Sequence, residues 1–318
     1  MVKKKNYLFV DLFAGIGGMR IAFEREYSEC ILTCEIDKMA LTTYQMNFKN
    51  SNNHSYSLDI RKLKSKDVPD HDILLAGFPC QPYSIAGLRK GLADERGKVF
   101  NDIIRIIRDK KPTVFLLENV RGIMAHDNGE TFKYIIKRLE NLGYYLKYQS
   151  LNTATHGNLP QNRERVFIVG FSDKNSYDKF LFPDKIKLNK KITQLLDTDN
   201  LDQKYYYDDR YDCYAKIKKV VKNSNSIYQW RRHYVRENKS ELCPTLTANM
   251  GSGGHNVPLV YQNKKIRKLT PRECARFQGF PDSFKLPNIS DIHLYHQFGN
   301  SVSIPLIKRI ADNIYKSI

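Results

Sequence analysis

The run Gly77-Phe78-Pro79-Cys80-Gln81-Pro82-Tyr83-Ser84 sets a thiol directly behind a short apolar stretch, Asp72-Ile73-Leu74-Leu75-Ala76. A thiolate is a nucleophile. A strand that ends in Gly and Pro turns sharply, and open α/β sheets bind ligands outside the carboxyl ends of their strands. In that place Cys80 faces a cleft and can attack an electrophilic carbon. A free cysteine also packs as a small apolar residue, and this segment alone is compatible with both readings. Two further segments carry groups suited to acid–base and anion chemistry. Glu118-Asn119-Val120 follows the apolar run Thr113–Leu117, which sets a carboxylate at a second strand end. Gln161-Asn162-Arg163-Glu164-Arg165-Val166 places two arginines on one face of an extended segment. The structural alternative for Glu118 is a salt bridge to Arg163 or Arg165.

A candidate cofactor pocket lies nearer the N-terminus. Phe13-Ala14-Gly15-Ile16-Gly17-Gly18 separates a strand-like run from a helix-like stretch, Met19–Tyr27. Glycines there permit a tight turn and close approach of backbone to ligand. Glu35 closes the second apolar run about 20 residues on, where an acid binds ribose hydroxyls. Asp59 ends the third run, within reach of an adenine amino group. The glycine pattern is shorter than that of the dinucleotide fingerprint, so these residues indicate an adenosine-containing cofactor without separating NAD from S-adenosylmethionine.

The elements that must position these groups follow from hydropathy. Apolar runs at Tyr7–Leu12, Ile31–Cys34, Ser55–Leu58, Ile73–Ala76, Val114–Leu117 and Val166–Val169 alternate with amphipathic stretches at Lys38–Phe48, Val99–Lys110 and Glu130–Leu142. The alternation predicts an α/β fold with a doubly wound, Rossmann-like parallel sheet. From 183 to 287 it gives way to loop-rich sequence dense in Tyr, Lys, Asn and Asp, and including Gly251-Ser252-Gly253-Gly254. A domain over 1–182, completed by 288–318, and a smaller one over 183–287 are therefore expected. Apolar residues at 304, 307, 310, 311, 314 and 318 predict a final helix that returns to the first domain.

Fifty-two Lys and Arg against 34 Asp and Glu give a formal net charge of +18, which favours a polyanionic partner, nucleic acid before anionic membrane. Eight of these cations fall between Lys216 and Lys239, with Glu237 the one acid among them. The six cysteines form no CxxC pair and no zinc-spaced cluster, so no metal is expected. The basic N-terminus leads into a run interrupted by Asp11, which is neither a signal peptide nor a membrane span, and a cytoplasmic protein with reduced thiols is expected.

Taken in order and spacing, Phe-Ala-Gly-Ile-Gly-Gly, Gly-Phe-Pro-Cys-Gln, Glu-Asn-Val, Gln-Asn-Arg-Glu-Arg, Arg267–Arg276 and Gly299-Asn300-Ser301-Val302 resemble the cytosine-C5 DNA methyltransferases over nearly the whole chain. The region around 183–265 stands outside the match. The resemblance implies S-adenosylmethionine as methyl donor, S-adenosylhomocysteine as product, and double-stranded DNA as substrate. It makes Cys80 the nucleophile, Glu118 the acid at N3 and the exocyclic amine (a role served by a protonated carboxyl), and Arg165 the holder of the O2 side, with Arg163 nearby. It lines the cofactor pocket with Phe13, Gly15, Gly17, Glu35, Ile36, Asp59, Pro79, Val99, Asn300 and Ser301.

The target base must leave the stack to meet a thiol, and the loop Gln81–Lys98 would close over it with Gln81, Ser84, Arg89 and Arg96 at the DNA. The segment Tyr228–Tyr234 mixes base-reading and phosphate-binding types, so Arg231, Arg232 and Arg236 are expected at the DNA, each more readily at a phosphate than at a base. Thr245, in the family's Thr-Leu pair, is expected near the target phosphate. The segment from Tyr228 to Pro258 resembles that of methylases that protect GCNGC sites. The resemblance thus implies a monomeric bacterial modification enzyme paired functionally with a restriction endonuclease.

Three rivals use other classes of function. A tRNA cytosine methyltransferase shares the motifs, but its Cys-Phe-Thr segment is replaced here by Cys243-Pro244-Thr245. A silent DNA-binding protein on the same fold is opposed by the presence of Cys80, Glu118, Arg163 and Arg165. A nicotinamide oxidoreductase is opposed by the truncated glycine pattern and the Pro-Cys-Gln turn.

Overall fold

The computed structural model describes residues 6–49, 54–79, 95–198, 201–252 and 257–318, with 95–98 described by backbone alone. The chain divides into two compact units. The first runs to Leu151 and adds Glu164–Pro183 and Ile307–Ile318; the second comprises Asn152–Arg163 and Asp184–Leu306. Relative to the expected division, 152–163 and 288–306 belong to the second unit.

In the first unit, β1 (Tyr7–Leu12), β2 (Ser28–Cys34), β3 (Ser55–Ser57), β4 (Ile73–Gly77) and β5 (Val114–Val120) form parallel pairs in the order β3-β2-β1-β4-β5. The near-continuous apolar runs of β1, β2, β4 and β5 suit strands buried on both faces, whereas the short edge strand β3 is largely exposed. Beyond β5, after β6 (Tyr145–Asn152) and β7 (Gln161–Asn162) in the chain, β8 (Glu164–Phe171) inserts antiparallel, and β6 forms the edge. The sheet is therefore mixed where an all-parallel one was expected. The helix Glu95–Lys110 buries Phe100, Ile103, Ile104 and Ile107, an i, i+3, i+4, i+7 stripe, in the same core as Leu74 and Leu117. The first helix is shorter than expected, Gly18–Phe23, because Glu24 turns extended.

The last segment seals this unit. Tyr315 donates its hydroxyl to the Phe23 carbonyl at 2.7 Å, Arg25 pairs with Asp312 at 2.8 Å, and Tyr7 donates to the Ile318 carbonyl at 3.1 Å. Tyr7, Phe23, Tyr27 and Tyr315 form one aromatic cluster.

At the centre of the sheet, Asp11 faces Thr33 and Leu75 across the register and is 1% exposed. Both carboxylate oxygens lack a partner at hydrogen-bonding geometry. Burial pushes its pKa up to about 8; the Arg20 charge and backbone amide oppose the rise, and Glu35 adds to it. The folded value lies above the unfolded value of about 3.9, so the native state holds the proton more tightly. Stability from this site is then greatest below about pH 4 and is lost as pH rises toward 8. Asp11→Asn is expected to gain stability over the parent progressively across that window, on the order of 3–5 kcal/mol at pH 8. A flat difference in melting temperature from pH 5 to pH 8 would contradict it.

The second unit carries a five-stranded sheet, order β11-β10-β13-β14-β9, from β9 (Tyr206–Tyr207), β10 (Ile227–Trp230), β11 (Val235–Asn238), β13 (Leu259–Gln262) and β14 (Lys265–Lys268). Its neighbouring strands all pair antiparallel. One face packs Tyr228, Leu259 and Ile266 with Ile217 of the helix Tyr214–Val220. Separately, β12 (Cys243–Pro244) pairs with β7. The helix Pro271–Gln278 is bounded as its sequence dictates: a Thr270–Glu273 capping box, proline in the first turn, and Gly279 at φ +86° past the end.

Candidate active site and cofactor pocket

Strand order brings the candidate groups of the first unit together. Because β1 and β4 are parallel neighbours on either side of the reversal in strand order, their carboxyl ends open on one crevice. The glycine loop leaves β1 there, and Phe78-Pro79 leaves β4 there toward Cys80. Cys80 itself, with Gln81, Ser84 and Arg89, lies outside the described residues, as does the side chain of Arg96. Glu118 sits opposite Gly77 in the next strand, with its carboxylate Oε1 3.1 Å from Arg165 Nε. Both side chains are largely buried, at 11% and 16% exposure. Arg165 lies opposite Val120 in the antiparallel β5–β8 pair, a diagonal neighbour of Glu118 on the same face. The ion pair considered as an alternative is thus present, made by Arg165.

Arg163 has other neighbours. It falls between β7 and β8, and its buried guanidinium donates to the carbonyls of Leu246 (2.9 Å), Gly299 (3.4 Å) and Ser301. It ties the segment after Thr245 to the segment around Asn300. Gly299 is required there, since a Cβ would sit 2.2 Å from the Thr247 carbonyl carbon. The expectation that both arginines act from one face therefore needs correction: the extended run is interrupted at Arg163, and three backbone acceptors hold its side chain.

Asn119 follows Glu118 in β5 and has a structural task that its motif does not reveal. Its buried side chain donates Nδ2 to the Phe78 carbonyl at 3.1 Å and accepts the Val120 amide at 2.8 Å. It anchors the chain two residues before Cys80.

In the candidate pocket, Glu35 receives the Gly15 amide on Oε2 and the Asp37 amide on Oε1, both at 2.7 Å. Each oxygen keeps lone-pair capacity for a hydroxyl. Burial raises the Glu35 pKa, against the two backbone donors. Phe13 and Gly15 adopt φ of 60° and 55°, and a Cβ on Gly15 would meet nothing within 4 Å, so the loop backbone is open to a ligand. Gly17, at φ +85°, is fixed from below by the Phe48 ring, 2.3 Å from where a Cβ would stand. Ile36 exposes 61% of its surface beside Glu35. An acid with lone pairs to spare for a hydroxyl, an exposed apolar side chain and an open glycine backbone fit an adenosine group.

Asp59 is engaged by Arg61, with Oδ1 to Nε at 2.9 Å and Oδ2 to Nη2 at 2.8 Å, and this contact lowers its pKa. Pro79 is exposed, Val99 packs partly buried on the core, and Asn300 (exposed) and Ser301 (buried) belong to the second unit.

A profile of the C-5 cytosine-specific DNA methylases matches residues 7–316. The chain belongs to that family. The Type II methyltransferase M.Bsp6I of Bacillus sp. (strain RFL6) is 52% identical over 312 residues, covering 97% of this chain and 98% of that protein. M.DsaV of Dactylococcopsis salina is 42% identical, covering 100% of this chain and 88% of that protein. The crystal structure of S. pombe Dnmt2 methyltransferase matches the fold with a TM-score of 0.76 at 20% identity, over 98% of this chain and 99% of that one. Among the described residues of this C-5 cytosine methylase there is neither a helix long and apolar enough to cross a membrane nor a group of three or more His, Cys, Asp or Glu arranged to hold a metal.

In the second unit of the methylase, Arg231, Arg236 and Thr245 line a polar cleft of about 450 Å³. Arg232 stands exposed at the β10–β11 turn with φ 62°. The Thr245 hydroxyl donates to the Asn162 carbonyl at 2.6 Å.

Proposed function

We propose that this enzyme transfers a methyl group from S-adenosylmethionine to C5 of a cytosine flipped from double-stranded DNA within a short site, GCNGC. It acts in the bacterial cytoplasm and protects DNA from a cognate restriction endonuclease. The observation that carries the reading is the set of candidate groups along one edge of the sheet: the glycine loop after β1, the Asn119-anchored lead into Cys80 after β4, and Glu118 near the carboxyl end of β5 paired with Arg165 at the amino end of the antiparallel β8.

C5 of cytosine is too weak a nucleophile to take a methyl directly. The Cys80 thiolate adds to C6, and Glu118, which must first take up a proton because its ion pair with Arg165 favours the carboxylate, passes that proton to N3, so C5 becomes the nucleophilic end of an enamine. Arg165 offers its guanidinium to O2 and holds Glu118 in place. S-adenosylmethionine, when held by the Glu35 and glycine-loop pocket, supplies the electrophilic methyl at its sulfonium. Loss of the C5 proton to water or a side chain, return of the N3 proton to Glu118 and departure of the Cys80 thiolate from C6 restore the aromatic ring and free the enzyme. Arg163 acts as a positioning residue, through the carbonyls it binds.

The test is bisulfite sequencing of plasmid DNA incubated with the purified protein and S-adenosylmethionine. Protection of cytosines in one short motif supports the reaction, and a motif other than GCNGC overturns the target alone. Protection nowhere overturns the DNA reading and favours an RNA substrate or a silent binder.

Asn119→Ala removes the tether on the Phe78 carbonyl. A misplacement of about 1 Å costs on the order of 10²-fold. The variant is expected to lose about 10- to 100-fold in kcat while its KM for S-adenosylmethionine stays close to that of the parent. Steady-state kinetics separates the two, and an unchanged kcat would remove Asn119 from the positioning of Cys80.

A further inference from the structure

The cleft in the second unit separates side chains that sequence alone treated as equivalent. The β10–β11 register pairs Tyr228 with Glu237, Gln229 with Arg236, and Trp230 with Val235. Tyr228, Trp230 and Val235 pack into the apolar core of this unit, and Glu237 receives the Tyr228 hydroxyl at 3.3 Å. Side chains alternate across a strand, so Gln229, Arg236 and Asn238 share the opposite face, and all three line the cleft. Their polar groups are uncommitted. Asn238 Nδ2 is buried without a hydrogen-bond partner, and the side chains of Gln229 and Arg236 form no hydrogen bond or ion pair with a described residue. Elsewhere in this unit Arg163, Arg210, Arg267 and Arg276 are each held by carboxylates or carbonyls. The backbone beneath Gln229 and Arg236 is held in a paired strand, whereas Arg232 occupies a left-handed turn position.

We propose that Gln229 and Arg236 are the base-reading pair of this enzyme, facing adjacent base pairs in the major groove. The Arg236 fork bonds bidentately to N7 and O6 of a guanine, and the Gln229 amide meets the donor–acceptor edge of the neighbouring pair. Arg232, on the turn, contacts phosphate and carries no sequence information. The assignment rests on the DNA-methylating reading above.

The experiment measures methylation of a duplex library randomised across the site, by bisulfite sequencing, for the parent, Arg236→Ala, Arg236→Lys and Arg232→Ala. Arg236→Ala is expected to flatten the preference at one guanine by about 10- to 100-fold, with the other positions unchanged. Arg236→Lys keeps the positive charge but loses the fork, and is expected to lose the same preference. Arg232→Ala is expected to lower methylation of all sequences by one factor and to weaken its salt dependence. If Arg236→Ala lowers all sequences equally, or Arg236→Lys keeps the parent's preference, Arg236 is a phosphate contact and the proposal falls. A parent that methylates no member of the library overturns the DNA-methylating reading instead.

Discussion

Cys80→Ser is expected to lower methyl transfer by more than about 10⁴-fold, the scale on which removing an enzyme nucleophile acts, while S-adenosylmethionine still binds. A serine hydroxyl remains protonated at neutral pH where a thiol ionises in part, so addition to C6 fails and C5 never gains enamine character. The groups that frame the site do not depend on the sulfur. Glu118 keeps Arg165, Asn119 keeps the Phe78 carbonyl, and Glu35 keeps the Gly15 and Asp37 amides. Radiolabelled methyl transfer and calorimetric titration with S-adenosylmethionine read the two halves of the prediction. A variant that methylates at the parental rate would refute covalent catalysis through Cys80. One that loses cofactor binding as well would show that the sulfur supports the fold of the pocket.

Glu273→Gln is expected to destabilise the protein by about 3–5 kcal/mol. Glu273 is fully buried and receives four donors: Arg267 Nη1 at 2.8 Å and Nη2 at 2.6 Å, the Thr270 amide at 2.8 Å and the Asp197 amide at 2.7 Å. Glutamine keeps the volume but removes the charge, and leaves the buried Arg267 guanidinium uncompensated. Burying an unpaired charge costs far more than the pair gains over apolar side chains of similar size. The double change Arg267→Met with Glu273→Leu is therefore expected to recover most of the loss. Denaturant unfolding of the two variants provides the comparison, and a Glu273→Gln cost below about 1 kcal/mol would show that water or a rearranged loop meets Arg267.

The strands that carry the site were legible because a parallel strand buried on both faces is a continuous apolar word, as in Ile73-Leu74-Leu75-Ala76 and Val114-Phe115-Leu116-Leu117. β6 was not, because as an edge strand it carries exposed tyrosines at 145 and 148 and a lysine at 147, and of its side chains only Leu151 is buried. The antiparallel turn of β8 leaves no trace in hydropathy. The segment Gly-Phe-Pro-Cys and the acids Glu35 and Glu118 announce themselves by lying at the ends of such words. Arg163 misled because its acceptors lie 83 to 138 residues away, where local spacing has no bearing. Asn119 was hidden for a similar reason, as its partner Phe78 lies on a neighbouring strand end. Among the arginines near the hairpin, only the register of β10 on β11 distinguishes Arg236 from Arg232.

The first unit is assembled from three separated stretches of chain, and its aromatic seal at Tyr7, Phe23 and Tyr27 awaits Tyr315. A ribosome adding about 5–20 residues per second needs about 6–25 s to pass from Pro183 to Ile307. Through that interval the nascent sheet presents ring surfaces with their covering helix not yet made. Chaperone capture during synthesis should concentrate in that window, and a circular permutant that translates 307–318 ahead of Tyr7 should shorten it.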